Sequence, residues 1–110
     1  MNTEHYEQVL FVAWFRKTYD HLIFAIPNGG KRHRVAAMKL KQEGVISGIP
    51  DLYVPALRLW VEMKRSKGGK LSENQKKIKS YLESLGDNYI VGHGYEDAKQ
   101  KISAALGEQL

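Results

Sequence analysis

The segment GIPDLYVPALRLWVEMK, residues 48 to 64, restricts the fold of this chain more than any other. Its two apolar stretches, Asp51–Val54 and Leu57–Lys64, are separated by Pro55-Ala56 and predict paired strands with a tight connection. In the second strand the period of two places Glu62 and Lys64 on one face, with Arg58 and Trp60, and places Leu57, Leu59, Val61 and Met63 on the other. A charged side chain is costly in an apolar strand unless it is paired or binds something. Asp51, Glu62 and Lys64 therefore require a role.

The rest of the chain predicts four helices and two further strands around this pair. Helices are predicted from the cap Thr3 to just before Tyr19, over Val35–Glu43, from the capping box at Ser72 to Gly86, and over Tyr95–Leu106; strands are predicted over His21–Ile26 and Tyr89–Val91. The predicted order is helix, strand, helix, two strands, helix, strand, helix. We expect the first helix to be mostly buried. The third helix is expected to bury one stripe made of Ile78, Tyr81, Leu82 and Leu85.

Length and composition predict one domain that spans residues 1–110. A chain of 110 residues with 43% apolar residues can form one core and is too short for two ordinary domains. Its longest apolar run, Leu10–Phe15, is far shorter than the roughly 20 residues that cross a bilayer, and no basic segment precedes an apolar one at the N-terminus. We therefore expect no membrane association. The absence of cysteine excludes disulfides and thiolate chemistry and favours a cytoplasmic, intracellular protein.

The positive charge of the chain is concentrated in its middle. Lys31–Lys79 contains 13 of the 17 basic residues and four of the 12 acidic ones, a local net charge of +9 against +5 for the whole chain. Such a band is typical of proteins that bind a phosphate backbone, although solvated helix faces also collect lysines. The distribution favours a nucleic acid as partner.

The carboxylates of the paired strands predict a metal site. If the two strands are neighbours, Asp51 and Glu62 lie at one end of a sheet, close to the ammonium of Lys64. Two uncompensated carboxylates repel each other, and a hard cation such as Mg²⁺, which binds one or two carboxylates and keeps its waters, removes that repulsion. The spacing is equally compatible with a Glu62–Lys64 ion pair on a solvated strand edge.

The motifs around these residues resemble a nuclease signature. Pro50-Asp51 followed 11 residues later by Glu62-Met63-Lys64 resembles the PD-(D/E)XK superfamily. GIPDLYVP, VEMKRSKGG and LSENQ are similar to its VRR-NUC branch, and the resemblance covers nearly the whole chain. It implies an α/β fold with a restriction-endonuclease-like αβββαβ core, a small mixed sheet flanked by helices. It also implies metal-dependent hydrolysis of DNA, often branched, flap or four-way junction DNA, and commonly a homodimer.

The resemblance also implies roles for individual residues. Asp51 and Glu62 would ligate Mg²⁺ or Mn²⁺ together with the backbone carbonyl of Met63. Lys64 would orient the attacking water, help to deprotonate it and offset charge on the phosphate. An acidic residue of the first helix often completes such a site, and here both Glu4 and Glu7 are candidates. Gln75 is similar to the family's glutamine beside the lysine, while the capping box with Ser72 explains it equally well.

Candidate DNA contacts and alternative functions complete the prediction. The residues suited to phosphate contacts are Asn28, Lys31, Arg32, Arg34, Arg65, Lys67 and Lys70. Trp60 fits a stacking role on a base, although a core position is more usual for tryptophan. The alternatives to a nuclease are a non-catalytic nucleic-acid-binding module on the same fold and a protein–protein adaptor. An adaptor would leave the basic band unexplained, and a simple binder gains nothing from acidic groups that face phosphate.

Overall fold

The computed structural model describes residues 3–27 and 34–107 of the chain. Its elements are helix α1 (Glu4–Thr18), strand β1 (Phe24–Ala25), helix α2 (Arg34–Gln42), strand β2 (Leu52–Val54), a 3-10 turn (Pro55–Leu57), strand β3 (Leu59–Lys64), helix α3 (Glu73–Ser84), strand β4 (Asn88–His93) and helix α4 (Tyr95–Leu106). The predicted order is confirmed. Within the described ranges no helix is both long and apolar enough to cross a membrane.

The four strands form one mixed sheet in the order β1-β2-β3-β4. β1 pairs antiparallel with β2, and β2 pairs antiparallel with β3, so that Leu52 lies opposite Val61. β3 and β4 are parallel, and α3 is the crossover that a parallel pair requires. The elements α1, β1–β3, α3 and β4 therefore form the predicted αβββαβ core, with α2 inserted and α4 added at the end.

The core lies between one face of the sheet and helices α1 and α4. Alternate residues of the strands point into it, as the period of two predicts. Its fully buried members include Phe11, Phe15, Leu52, Val54, Leu59, Val61, Ala98 and Ile102. Gly92 of β4 permits the close approach of α4, because a Cβ atom there would lie 2.5 Å from the Cβ of Ala98. The opposite face carries Glu62 and Lys64 and is contacted by α3.

Several details differ from the prediction. Strand β1 contains two residues rather than six. β3 begins at Leu59 because the 3-10 turn ends in Arg58, whose φ of 47° is left-handed and interrupts the extended backbone. The stripe on α3 is narrower than expected: Leu82 is buried, whereas Tyr81 and Leu85 are exposed. Likewise α1 buries only Glu7, Phe11 and Phe15, because a single side of that helix packs on the sheet.

Gly48 fixes the distance between the segment before β2 and the start of α3. Its φ is 94°, and a Cβ atom at this position would lie 2.7 Å from the backbone carbonyl carbon of Asn74. A side chain at this position would therefore push the first turn of α3 away. Gly44 has a similar φ of 107°, but no described atom lies within 4 Å of the corresponding point.

These two glycines provide a matched test of that close approach. We expect Gly44→Ala to lower the free energy of unfolding by about 1–2 kcal/mol, the cost of a left-handed alanine. Gly48→Ala adds a backbone clash to the same conformational cost, so we expect a loss of about 3 kcal/mol or more. Urea denaturation followed by circular dichroism measures both. Equal losses for the two variants would show that the contact between Gly48 and Asn74 contributes nothing.

Candidate active site

All of the predicted catalytic residues except Glu7 line one open cavity of about 760 Å³. The cavity lies where helix α2, the segment before β2, the end of β3 and the start of α3 meet. Its polar lining consists of Glu4, Lys41, Ser47, Asp51, Glu62, Lys64, Ser72 and Gln75. Residues far apart in the sequence are therefore brought together at one end of the sheet.

Asp51 is held between two strands. It directly precedes β2, and its Oδ2 accepts the backbone N–H of Met63 at 2.7 Å. Its backbone carbonyl accepts the N–H of Ile26 at 2.8 Å. The side chain thus continues the hydrogen bonding between β2 and β3 by one position and places the Asp51 carboxyl beside Glu62.

Glu62 is buried and receives two donors on a single oxygen. Its side chain is 3% exposed, and its Oε2 lies 3.5 Å from Nζ of Lys64, which is 12% exposed. Nε2 of Gln75 donates to the same oxygen at 3.2 Å. Glu62 and Lys64 are therefore within ion-pair distance, but the solvated strand edge of the alternative explanation is wrong, because both side chains are largely removed from water. Such burial of a charge is costly unless the site has further ligands.

The surroundings make ionisation of Glu62 unfavourable. Burial, followed by the negative charge of Asp51, raises the pKa of Glu62 to about 8, and Lys64 only partly opposes this shift. The pKa of the Tyr89 hydroxyl is also raised, by burial and then by the charges of Glu62 and Asp51. Two carboxyls compete for negative charge in a site of low polarity, the situation that a bound cation relieves.

A metal ion fits this arrangement. Glu62 Oε1 is buried and has no hydrogen-bond partner among the described residues, so this oxygen has room for either a proton or a cation. The residues that would hold Mg²⁺ or Mn²⁺ are Asp51, Glu62 and, through its carbonyl, Met63. Within residues 3–27 and 34–107 no three His, Cys, Asp or Glu side chains are placed to hold one ion. Glu4 therefore lines the cavity without joining the two carboxylates in such a set.

Gln75 forms the predicted capping box and also contacts a carboxylate of the candidate site. Its backbone N–H donates to Ser72 Oγ at 3.1 Å, and its Oε1 accepts the backbone N–H of Ser72 at 2.8 Å, so the capping box is formed. These bonds hold the side-chain amide so that its Nε2 reaches Glu62. The cap of α3 thereby orients a donor in the site.

A solved structure described as a "VRR_NUC domain protein" matches the chain with a TM-score of 0.80 and 23% identity, over 96% of this chain and 89% of that one. The chain has the VRR_NUC fold. The fold expected from the sequence resemblance is confirmed, and the matched protein carries the name of the family that the motifs resemble. No protein-family model and no curated protein matches the chain.

The two carboxylates of α1 have different positions in this VRR_NUC fold. Glu4 lines the cavity. Glu7 is buried, and its Oε1 accepts the backbone N–H of Tyr95, the first residue of α4, at 3.1 Å. Gly94 leaves room for this contact, because a Cβ atom there would lie 2.7 Å from Glu7 Oε1. Of the two candidates, Glu4 is the cavity residue, whereas Glu7 caps α4, whose own N-cap residue is a glycine and has no side chain to do so.

The predicted phosphate-binding residues that the structure describes are exposed. Arg34 begins α2, and Arg65, Lys67 and Lys70 lie in the loop that joins Lys64 to Ser72, two residues of the cavity lining. Asn28, Lys31 and Arg32 lie outside the described residues.

Two residues near the site were not predicted as part of it. Lys41 of α2 lines the cavity, although the sequence indicated only a basic surface there. Tyr89 of β4 lies opposite Trp60 of β3, and the charges of Glu62 and Asp51 act on its hydroxyl; no local sequence signal specifies that register.

The different positions of Glu4 and Glu7 lead to a stability test. Glu7→Ala removes the acceptor for the Tyr95 N–H and a favourable charge at the start of α4, so we expect the free energy of unfolding to fall by about 1–2 kcal/mol. Glu7→Gln keeps an acceptor and should lose less. Glu4→Ala, one turn away on the same helix, is the control and should change stability by less than about 0.5 kcal/mol. Urea unfolding in the absence of metal measures all three; a larger loss for Glu4→Ala would contradict the assignment.

Proposed function

We propose that the chain is a Mg²⁺- or Mn²⁺-dependent DNA endonuclease that hydrolyses phosphodiester bonds, with branched, flap or four-way junction DNA as its substrate. The observation that carries the proposal is the buried pair of Asp51 and Glu62 beside Lys64, with no described residue bonded to Glu62 Oε1. The VRR_NUC fold and the resemblance of the PD, ExK and LSxxQ motifs support it. An intracellular location belongs to the same proposal, since DNA is found there.

Each side chain has a distinct task in this reaction. Water adds to phosphorus, one P–O ester bond breaks, and the products are a phosphate monoester and a hydroxyl. Lys64 orients the attacking water and stabilises the negative charge that develops on the phosphate oxygens. Gln75 holds Glu62 Oε2 in place, and the Met63 N–H does the same for Asp51 Oδ2. When bound at these residues, a cation would supply Lewis acidity, which polarises the phosphate and lowers the pKa of water.

A non-catalytic nucleic-acid-binding module on the same fold is the second candidate. The basic band favours it as much as it favours a nuclease. The buried carboxylates do not favour it, because negative charge on a surface that only binds phosphate would weaken that binding. Cleavage of DNA by the wild-type protein decides between the nuclease and the non-catalytic module.

We also propose that the protein is a homodimer. One hydrolytic centre cuts one strand, so paired cuts in a branched molecule require a second copy. Helix α2 supports this idea, because none of its residues is buried and its Val35 and Met38 are exposed, as are Val45 and Ile46 after it. Exposed apolar side chains of this size are typical of contact surfaces.

The nuclease proposal predicts the loss of cleavage in three variants. Asp51→Asn, Glu62→Gln and Lys64→Ala should each reduce the cleavage rate at least about 100-fold, because each removes charge from the reacting centre. Lys17→Ala, an exposed lysine in the last turn of α1 and outside the cavity lining, is the control and should retain most of the activity. The assay is gel-based cleavage of single-stranded, duplex, flap and four-way DNA in Mg²⁺, Mn²⁺ or EDTA.

Direct metal titration separates the metal-binding role from the catalytic one. Mn²⁺ binding measured by calorimetry should be weakened strongly in Asp51→Asn and Glu62→Gln and retained in Lys64→Ala. Unchanged cleavage in any two of the three variants would contradict the site. Metal binding by a folded protein that cuts none of the DNAs would favour the non-catalytic module.

The basic loop after β3 predicts the salt dependence of DNA binding. In EDTA the affinity for DNA should fall steeply as the salt concentration rises. Replacing Arg65, Lys67 and Lys70 together by alanine should lower the slope of log affinity against log salt by about one for each phosphate that is no longer neutralised. Lys101→Ala, whose ammonium pairs with Asp97 on α4, should leave the slope unchanged. Fluorescence anisotropy measures both, and an affinity that is independent of salt would favour the adaptor.

A further inference from the structure

The face of the sheet that carries the carboxylates also carries a row of aromatic side chains. The strand register pairs Phe24 with Tyr53, Tyr53 with Trp60, and Trp60 with Tyr89, so one aromatic residue comes from each of the four strands. Directly paired residues share a face, as do residues two apart in one strand. Trp60 is two residues before Glu62, and Tyr53 is two residues after Asp51. The row therefore runs beside the acidic pair at a distance of one pleat repeat, roughly 7 Å.

The rings lie next to one another along this row, which ends at the edge strand β1. The centroids of Tyr53 and Trp60 are 4.2 Å apart, and those of Phe24 and Tyr53 are 6.0 Å apart. Phe24 is 39% exposed, while Tyr53 and Trp60 are partly exposed. At the other end Tyr89 is covered by Lys79 of α3, whose Nζ lies 5.5 Å from the ring centroid. The three rings of β1, β2 and β3 are thus the accessible part of the row.

These rings are not core residues. The core occupies the opposite face, where Leu52, Val54, Leu59 and Val61 are fully buried. Trp60 is held by a hydrogen bond from its Nε1 to Asp87 Oδ2 at 2.9 Å. Arg58 Nε donates to the other oxygen of Asp87 at 2.7 Å and fixes that carboxylate in turn. A partly exposed indole that is immobilised at its polar end can contact a flat partner with little loss of conformational entropy.

We propose that Phe24, Tyr53 and Trp60 form a stacking platform for unpaired bases of the DNA strand that is cut at Asp51 and Glu62, an inference that rests on the proposed function. A groove with aromatic rings beside cations is the usual arrangement for binding single strands, because every base has a face that can stack. The cations are Lys41 and Lys64 in the adjoining cavity. Bases inside a duplex already stack on each other, so only an unpaired nucleotide offers a free face. The substrate class is therefore DNA with unpaired nucleotides next to the scissile phosphate.

Binding to matched DNAs in EDTA tests this platform without cleavage. The probes are a duplex, the same duplex with a short single-stranded flap, and that flapped DNA with abasic tetrahydrofuran sites in place of the flap bases. The abasic flap keeps every phosphate and removes only the rings. The wild-type protein should bind the base-bearing flap about tenfold more tightly than the abasic flap, as expected for stacking.

Leucine variants identify the rings responsible. Tyr53→Leu and Phe24→Leu keep apolar volume but remove a ring, and each should reduce the preference for the base-bearing flap at least about threefold, with duplex affinity unchanged. Tyr81→Leu is the control, because Tyr81 is 61% exposed on α3, and it should keep the wild-type preference. Phe24 lies at the exposed edge, so its variant serves if Tyr53→Leu does not fold.

Three results would overturn the platform. The first is equal binding of both flaps by the wild-type protein. The second is weaker binding of the leucine variants to all three DNAs alike. The third is conversion of a dimer to a monomer by the leucine variants, measured by analytical ultracentrifugation. The last result would assign the row to contact between copies. If the protein prefers unpaired bases but cuts no DNA in Mg²⁺, the result supports the platform and contradicts the nuclease proposal. If it cuts DNA without that preference, the result supports the nuclease proposal and contradicts the platform.

Discussion

The hydrogen bond from the Met63 N–H to Asp51 Oδ2 joins the two halves of the candidate site. Asp51 lies before β2, where ladder pairing with β3 has ended, and without this bond its carboxyl would have no fixed position relative to Glu62. A short bond to a charged acceptor is among the stronger hydrogen bonds in proteins. It also means that the side chain of the PD motif is positioned by the backbone of the ExK motif. The two motifs work as one unit because the antiparallel strands that carry them are adjacent.

The cost of burying Glu62 explains much of what surrounds it. Burial and the neighbouring Asp51 both oppose its ionisation, while Lys64 and Gln75 both contact Oε2. Oε1 is left unmatched among the described residues. A purely structural ion pair would be cheaper at the surface, where water solvates both partners. The unfavourable burial of Glu62 is consistent with a site whose negative charge is neutralised only when a cation is bound.

Local patterns predicted the elements of this fold better than the contacts among them. The alternation in β3 and the capping box at Ser72 depend on neighbours within a few residues, and both are confirmed. The choice between Glu4 and Glu7 depends on where α4 begins in space, 88 residues from Glu7, and no pattern within α1 contains that information. The aromatic row likewise arises from a register among four strands. The apolar residues Tyr81 and Leu85 suggested a wider buried stripe on α3 than the single buried Leu82 provides, because α3 packs mainly against β4, an edge strand.

Gln75 belongs both to the N-terminal cap of α3 and to the candidate site, so the geometry of that site depends on the first turn of a helix. Terminal turns open far more often than helix centres, with little free energy required. Each opening of the capping box would release the amide that contacts Glu62, so the site would lose its order while the core between α1, α4 and the sheet stayed intact. Under the proposed nuclease function, cleavage should therefore be lost on warming at a lower temperature than the one at which the protein unfolds.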